Sequence, residues 1–246
     1  MIAAVSKLYN DLFDIESVVN KGVYPIHKKL KTEEDIYEKI IKQFSRPVNG
    51  IILDAGCGVG FGTNIIAANT SDQVEGISIS DKEIERAKQN NKYPDQCNFY
   101  KHSFEELTND KYAIIICVES LKHAFDHQLV FNKLHQALKE NGKLIIVDDF
   151  YLGNEITNEA KQFMKDWELT FLINEKSVVP LFKHEATIDL TDWMQKKNKI
   201  KTEIKLLTYR LLKESSFTKL FRGGTILDKL YAQALMKYAI CIYNKK

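Results

Sequence analysis

The segment Leu53-Asp54-Ala55-Gly56-Cys57-Gly58-Val59-Gly60-Phe61-Gly62 sets four glycines at alternate positions directly after the apolar run Ile51-Ile52-Leu53. No other stretch restricts the fold as much. A strand must end there, the backbone must turn through left-handed angles open to glycine, and a helix must begin. The first N–H groups of that helix have no intrahelical partner, and its dipole end is positive. A nucleotide, or the carboxylate of an amino-acid-like ligand, suits such a place.

The spacing narrows the ligand. A dinucleotide fingerprint, G-x-G-x-x-G, would need glycine at 61 when counted from Gly56, where Phe61 stands, or at 63 when counted from Gly58, where Thr63 stands. The pattern present is acid-x-Gly-x-Gly-x-Gly. Asp54 at the strand end repels phosphate and favours an ammonium or other cationic ligand through its field.

Downstream the chain alternates strands and helices. Val74–Ile79 reads as the second strand, with Ser80 and Glu83 forming a capping box for a helix through Asn90. Asn98–Tyr100 is a third strand. Ala113-Ile114-Ile115-Ile116-Cys117-Val118 is the clearest, and its unbroken apolar run predicts burial on both faces, as in a parallel sheet. A helix with Leu129, Phe131, Leu134 and Leu138 follows, ending near Asn141-Gly142, and Leu144–Val147 is the fifth strand. The repetition implies a doubly wound α/β sheet. Upstream, Thr32 caps a helix whose stripe is Ile36, Ile40, Ile41 and Phe44, closed by Pro47 and Gly50. After Phe150, residues 154–176 read as helix or lid, Ala186–Leu190 as a sixth strand and Ala239–Tyr243 as a seventh. The stretch 192–235 reads as mostly helical, interrupted around Gly223-Gly224.

Composition excludes several classes. The 246-residue chain has a formal net charge of +2, and its short basic clusters (Lys28-Lys29-Leu30-Lys31, Lys196-Lys197-Asn198-Lys199, Lys245-Lys246) read as solvated ends, so no nucleic-acid partner is expected. Cys57, Cys97, Cys117 and Cys241 lie far apart without zinc spacing, and no metal site is expected. The absence of a secretory signal and of any long apolar run leads to the expectation of a cytoplasmic protein without a membrane span.

The glycine segment resembles the first motif of Rossmann-like, class I S-adenosylmethionine-dependent methyltransferases, whose cofactor carries a sulfonium and no phosphate. Gly76-Ile77-Ser78-Ile79-Ser80 is similar to the segment of small-molecule members related to sterol, tocopherol and antibiotic-sugar methyltransferases, in which a hydroxyl residue replaces the ribose-binding acid at the second strand end. Glu119-Ser120-Leu121-Lys122-His123 resembles the Glu-Ser-Leu-x-His segment of antibiotic-sugar O-methyltransferases. The resemblance covers residues 50–152 well and the last two strands loosely.

It implies a mostly parallel seven-stranded sheet with N-terminal helices and a helical lid insertion. It also implies one domain over 1–246: cap helices at 1–46, a cofactor core at 47–152, a lid and acceptor-pocket region at 153–235 and a final strand at 236–246. The implied cofactor is S-adenosyl-L-methionine, with S-adenosyl-L-homocysteine as product. Its expected contacts are Asp54, Gly56, Cys57, Gly58, Gly60, Ser78 (ribose), Ile79, Ser103 (adenine amino group), Phe104 (adenine ring) and Glu119. His123 is the implied general base and Asp149 its assisting acid, with Asp148 as fallback, while Lys122 is expected to face solvent. Tyr9 and Tyr24 read as core-packing residues, and the resemblance offers them a second role in closing over the cofactor. The implied reaction is O-methylation of a small-molecule acceptor by a monomer or homodimer. N- or C-methylation, or a non-catalytic cofactor-binding partner protein, is the alternative.

Overall fold

The structure is a computed structural model that describes residues 34–44, 48, 50–108, 110–193 and 199–246. Tyr9, Tyr24, Thr32, Pro47 and the cluster Lys28–Lys31 lie outside the described residues. Helix α1 (Glu34–Ile41) buries Ile36, Ile40 and Ile41 of the expected stripe, and Phe44, three residues past its end, is buried in the same core.

Strand β1 (Ile51–Ala55) runs into the glycine segment and helix α2 (Phe61–Ala68). Then follow β2 (Val74–Ser78), α3 (Asp81–Gln89), β3 (Cys97–Lys101), β4 (Tyr112–Val118), α4 (His127–Ala137) and β5 (Leu138–Tyr151). After them come α5 (Asn158–Asp166), α6 (Glu175–Val178), β6 (Phe182–Asp189), α7 (Lys199–Leu211), α8 (Ser216–Ala232) and β7 (Met236–Lys245). The sheet order is β3-β2-β1-β4-β5-β7-β6. All neighbouring pairs from β3 to β5 are parallel, whereas β7 runs antiparallel to both β5 and β6. The order reverses between β1 and β4, and ligands of open α/β sheets bind outside the strand carboxyl ends at such a point.

The apolar run of β4 splits as period two requires. Ile114, Ile116 and Val118 join Ile36, Ile40, Ile66 and Ala87 on one face, while Ile115 and Cys117 join Phe131, Leu134 and Phe182 on the other. A third cluster packs α5 against α8, with Phe163, Leu227 and Leu230 around Tyr151 and Met236.

Four expectations need correction. Leu129 is 41% exposed, and Val130 takes its place in the core face of α4. Leu138 does not end that helix but opens β5, pairing with Tyr112. Strand β5 extends well past Val147, so Asp148 and Asp149 are strand residues opposite Ala239 and Tyr238 rather than loop residues. Gly223-Gly224 interrupts nothing and lies inside α8. A Cβ on Gly223 would stand 2.3 Å from Trp167 Cδ1, so the helix needs glycine to lie against that indole, whose Nε1 donates to Leu220 O at 3.1 Å. Among the described residues no helix is long and apolar enough to cross a membrane.

Candidate functional site

The glycine segment opens at the carboxyl end of β1, where Gly56 N and Cys57 N both donate to Ile77 O at 2.9 Å. Gly56, Gly58 and Gly60 all have positive φ, at 88°, 51° and 80°. Their roles differ. A Cβ on Gly56 would strike Ser120 Cβ at 2.3 Å, on Gly60 it would crowd Phe99 at 3.0 Å, and on Gly62 it would hit the Tyr37 hydroxyl oxygen at 2.1 Å. These three serve close packing. Gly58 alone among the described glycines has nothing within 4 Å of its missing Cβ. It borders open space at the mouth of the turn, where a side chain would fill a ligand's approach.

The turn is pinned from outside. Ser120 Oγ donates to Ala55 O at 2.7 Å, Asn64 Nδ2 to Gly60 O at 2.6 Å, and Asn90 Nδ2 to Val59 O at 3.3 Å. Asp54 is buried beneath it and accepts from Thr63 Oγ1 at 2.6 Å. Burial pushes its carboxyl up to about 6, against the lowering effect of the Thr63 bond. A carboxylate in that state is stabilised by a nearby cation and acts on the loop through its charge. Burial, with Asp54 and Glu83 adding to it, also holds the Cys57 thiol well above its ordinary range and keeps it protonated.

At the end of β2, Ser78 is buried, and its hydroxyl is already engaged. It donates to Glu83 Oε2 at 2.5 Å and accepts from Ser80 N at 3.1 Å. The capping box is therefore half formed. Ser80 Oγ accepts from Glu83 N at 3.2 Å, but the Glu83 carboxylate turns to Ser78. Burial raises the pKa of Glu83 while the Ser78 bond opposes the rise. The end of β3 repeats the arrangement. Ser103 caps the short helical turn Phe104–Glu106, with its N donating to Glu106 Oε2 at 3.0 Å, and its hydroxyl bonds the carboxylate of Glu105. Glu83 and Glu105 are site carboxylates beyond the twelve expected residues. A serine followed within a few residues by a glutamate was the available signal, and in the Ser80/Glu83 pair it was read as helix capping alone. Ile79, just past β2, and Phe104 are half-buried, the latter packed against the β1/β4 core.

The other side of the switch point is ionic. Glu119, at the end of β4, adopts φ 50°, donates its N–H to Val147 O at 2.7 Å and accepts the Tyr238 hydroxyl at 2.7 Å. Lys122 does not face solvent as expected. It is 6% exposed, with Nζ at 3.0 Å from Asp148 Oδ1 and 2.9 Å from Asp149 Oδ2, and 5.7 Å from the centre of the Trp167 ring. Burial alone would lower its pKa; the charges of Asp148, Asp149 and Glu119 reverse that and hold it well above its ordinary value. Asp149 also accepts the Tyr231 hydroxyl from α8. Asp148 Oδ2 is buried without a hydrogen-bond partner, and burial drives this carboxyl up to about 6 although Lys122 opposes the rise.

His123 is half-buried in the turn Leu121–His123. Desolvation, then the Lys122 charge, lowers its pKa to about 3 against the pull of Glu119, so the imidazole is neutral. The described bonds of the Asp149 carboxylate go to Lys122 and Tyr231. All twelve expected site residues thus lie among the described ones, at or just beyond the carboxyl ends of β1 to β5.

A family model described as a methyltransferase domain matches residues 48–206. Ubiquinone biosynthesis O-methyltransferase of Rickettsia akari (strain Hartford) is 34% identical over 119 residues, covering 46% of this chain and 46% of that protein. The 24-methylenesterol C-methyltransferase 3 of Arabidopsis thaliana is 38% identical over 97 residues, covering 36% of this chain and 26% of that one. The matched segments thus span less than half the length of either curated relative. Among solved structures, geranyl diphosphate C-methyltransferase from Streptomyces coelicolor A3(2), in complex with Mg2+, geranyl diphosphate and S-adenosyl-L-homocysteine, superposes with a TM-score of 0.72. The overlap covers 100% of this chain and 97% of that one at 12% identity, a likeness of fold.

Proposed function

The chain belongs to the methyltransferase domain family, and from that premise we propose that it transfers a methyl group from S-adenosylmethionine to a hydroxyl of a small molecule, with His123 as general base. The observation that carries the cofactor half of the reading is Gly58: a positive-φ glycine facing open space, in a loop backed by the buried Asp54, with Glu83 bonded to Ser78 and Glu105 to Ser103 at the ends of the next two strands. Carboxylates disfavour a pyrophosphate there and favour an ammonium, a sulfonium and ribose hydroxyls. Gly56, Cys57, Gly58 and Gly60 would hold the amino-acid end. Ser78 with Glu83 would accept the ribose hydroxyls, and Ile79, Ser103 and Phe104 would line the adenine.

When bound, the cofactor supplies an electrophilic methyl group on sulfur. What the chain contributes is placement and a proton acceptor. The β4 end orients the acceptor, and most of the acceleration in such a displacement comes from holding the reacting atoms in line. Neutral His123 can take the proton of the acceptor hydroxyl as the oxygen attacks. Glu119 favours the imidazolium that forms. Lys122 disfavours it, so the half-buried imidazolium gives its proton to solvent water and returns to the neutral form. Asp149, through Tyr231 and Lys122, ties this turn to α8 and would close the lid over it.

The carboxylate excess of Glu119, Asp148 and Asp149 over one lysine favours a second reading, carbon methylation, in which an alkene attacks the methyl and the resulting carbocation is stabilised by nearby anions. One assay addresses both readings: labelled methyl transfer from S-adenosylmethionine to candidate acceptors, comparing wild type with His123→Ala. On the oxygen reading the variant retains cofactor affinity and slows transfer about 10²–10⁴-fold. An unchanged rate removes His123 from the mechanism, and a product with a new carbon–carbon bond moves the reading to carbon.

A further inference from the structure

Helix α7 presents a surface that the catalytic reading does not use. Ile200, Ile204, Leu207 and Leu211 are 72%, 57%, 57% and 88% exposed. Their spacing of four, three and four residues draws them into one narrow row along the helix. On the opposite side Thr202 is buried and Leu206 packs into the cluster formed with α5 and α8. The row therefore points away from the protein. Single exposed aliphatics are ordinary on a soluble surface, whereas a contiguous row of them marks an interface.

Charge narrows the partner. Residues 199–213 read Lys-Ile-Lys-Thr-Glu-Ile-Lys-Leu-Leu-Thr-Tyr-Arg-Leu-Leu-Lys, with five bases and one acid, in a chain whose net charge is +2. The acid, Glu203, is bonded to Lys229 of α8 at 2.9 Å. Lys199 and Lys205 are exposed beside the apolar row, and Lys213 is exposed beyond its end. A second copy of α7 would bring like charges together. A helix of 13 residues, about 20 Å long, also falls well short of the roughly 1,200 Å² that a stable protein interface buries. Protein partners anchor on aromatic or arginine side chains set in pockets, and the exposed row of α7 is a convex ridge of aliphatic side chains alone. Aliphatic side chains flanked by lysines suit the boundary between acyl chains and anionic headgroups.

We propose that α7 is an interfacial helix that docks the protein on anionic lipid surfaces, with Ile200, Ile204, Leu207 and Leu211 entering the acyl boundary and the neighbouring lysines meeting lipid phosphates. The surface is independent of the methyl-transfer reading. Helix α7 packs on α8, whose Tyr231 bonds Asp149, so docking sets the lid region nearest the bilayer.

Co-sedimentation of the full chain with vesicles tests it, using phosphatidylcholine alone and phosphatidylcholine mixed with phosphatidylglycerol. The wild type pellets with the anionic vesicles, much less at high salt, and stays in the supernatant with neutral ones. Ile204→Asp with Leu207→Asp abolishes pelleting while leaving the unfolding midpoint and calorimetric S-adenosylhomocysteine affinity unchanged, and the milder Leu207→Ser lowers pelleting in the same direction. Lys199→Ser and Lys205→Ser each weaken partitioning about five-fold. Wild-type protein that ignores both vesicle types, or binds them equally, overturns the proposal. So does light scattering that finds a wild-type dimer dissolved by the double aspartate variant, since a second copy would then be the occupant.

Discussion

The two sides of the switch point are built by different physics. On the β1–β2–β3 side, small residues and serine hydroxyls clear space, and carboxylates are handed in from the following elements: Glu83 to Ser78 from α3, and Glu105 to Ser103 from the turn after β3. On the β4–β5–β7 side a buried cation, Lys122, holds Asp148 and Asp149 together, and phenols from α8 and β7 cap Asp149 and Glu119. The first side is assembled from neighbours in sequence and left open to a ligand. The second is tied by side-chain bonds between residues 27, 82 and 119 positions apart. In the proposed reading the first half is the one a cofactor completes, whereas the second is held together by charge pairing among its own residues.

Breaking the ionic side should have the largest effect on stability. Lys122→Met leaves three carboxylates near one another without their buried cation, and removing one partner of such a pair costs about 3–5 kcal/mol. Urea unfolding should show this loss with an unchanged m-value. A loss below about 1 kcal/mol would mean that water reaches the cluster and the two sides are less distinct than described.

The open side should respond in affinity instead. Glu83→Gln removes a charge-assisted acceptor worth about 1.5–3 kcal/mol, so the dissociation constant of S-adenosylhomocysteine should rise about 10- to 100-fold with little change in unfolding midpoint. Equal affinity in the variant would return Glu83 to a helix-capping role.

The smallest and most specific effect is on pH. Asp54, raised to about 6 by burial, is protonated below that value and ionised above it. A raised carboxyl pKa disfavours the ionised apo fold as pH climbs through 6, and a cationic ligand relieves that cost. The thermal shift produced by S-adenosylmethionine should therefore be larger at neutral pH than at pH ~5, with affinity falling about tenfold per unit below 6. His123, neutral down to about 3, cannot be the source of such a limb. If His123→Ala removes it, the assignment to Asp54 fails.

The contrast also explains what the sequence disclosed. Strand and helix alternation through β5, the β4 run buried on both faces and the glycine segment were legible because each is set by local period and spacing. Ser78 and Ser103 were legible as positions, but their hydroxyls turned out to be held by Glu83 and Glu105, a choice settled by side-chain geometry within a helix turn. Lys122 read as a surface residue because an isolated lysine usually is one, and only the pairing of β4 with β5 brings two aspartates to it. The glycines of α8 read as a break because their reason, the Trp167 ring, lies more than fifty residues away.

The central claim is that the open space beside Gly58 receives S-adenosylmethionine. Calorimetric titration of wild type and Gly58→Val with S-adenosylhomocysteine tests it directly. The account predicts saturable binding by the wild type and no detectable binding by the variant. The valine should cost the fold only about 1–2 kcal/mol, for a β-branched residue held at φ 51°. A Gly58→Val protein that binds the ligand with wild-type affinity would contradict it.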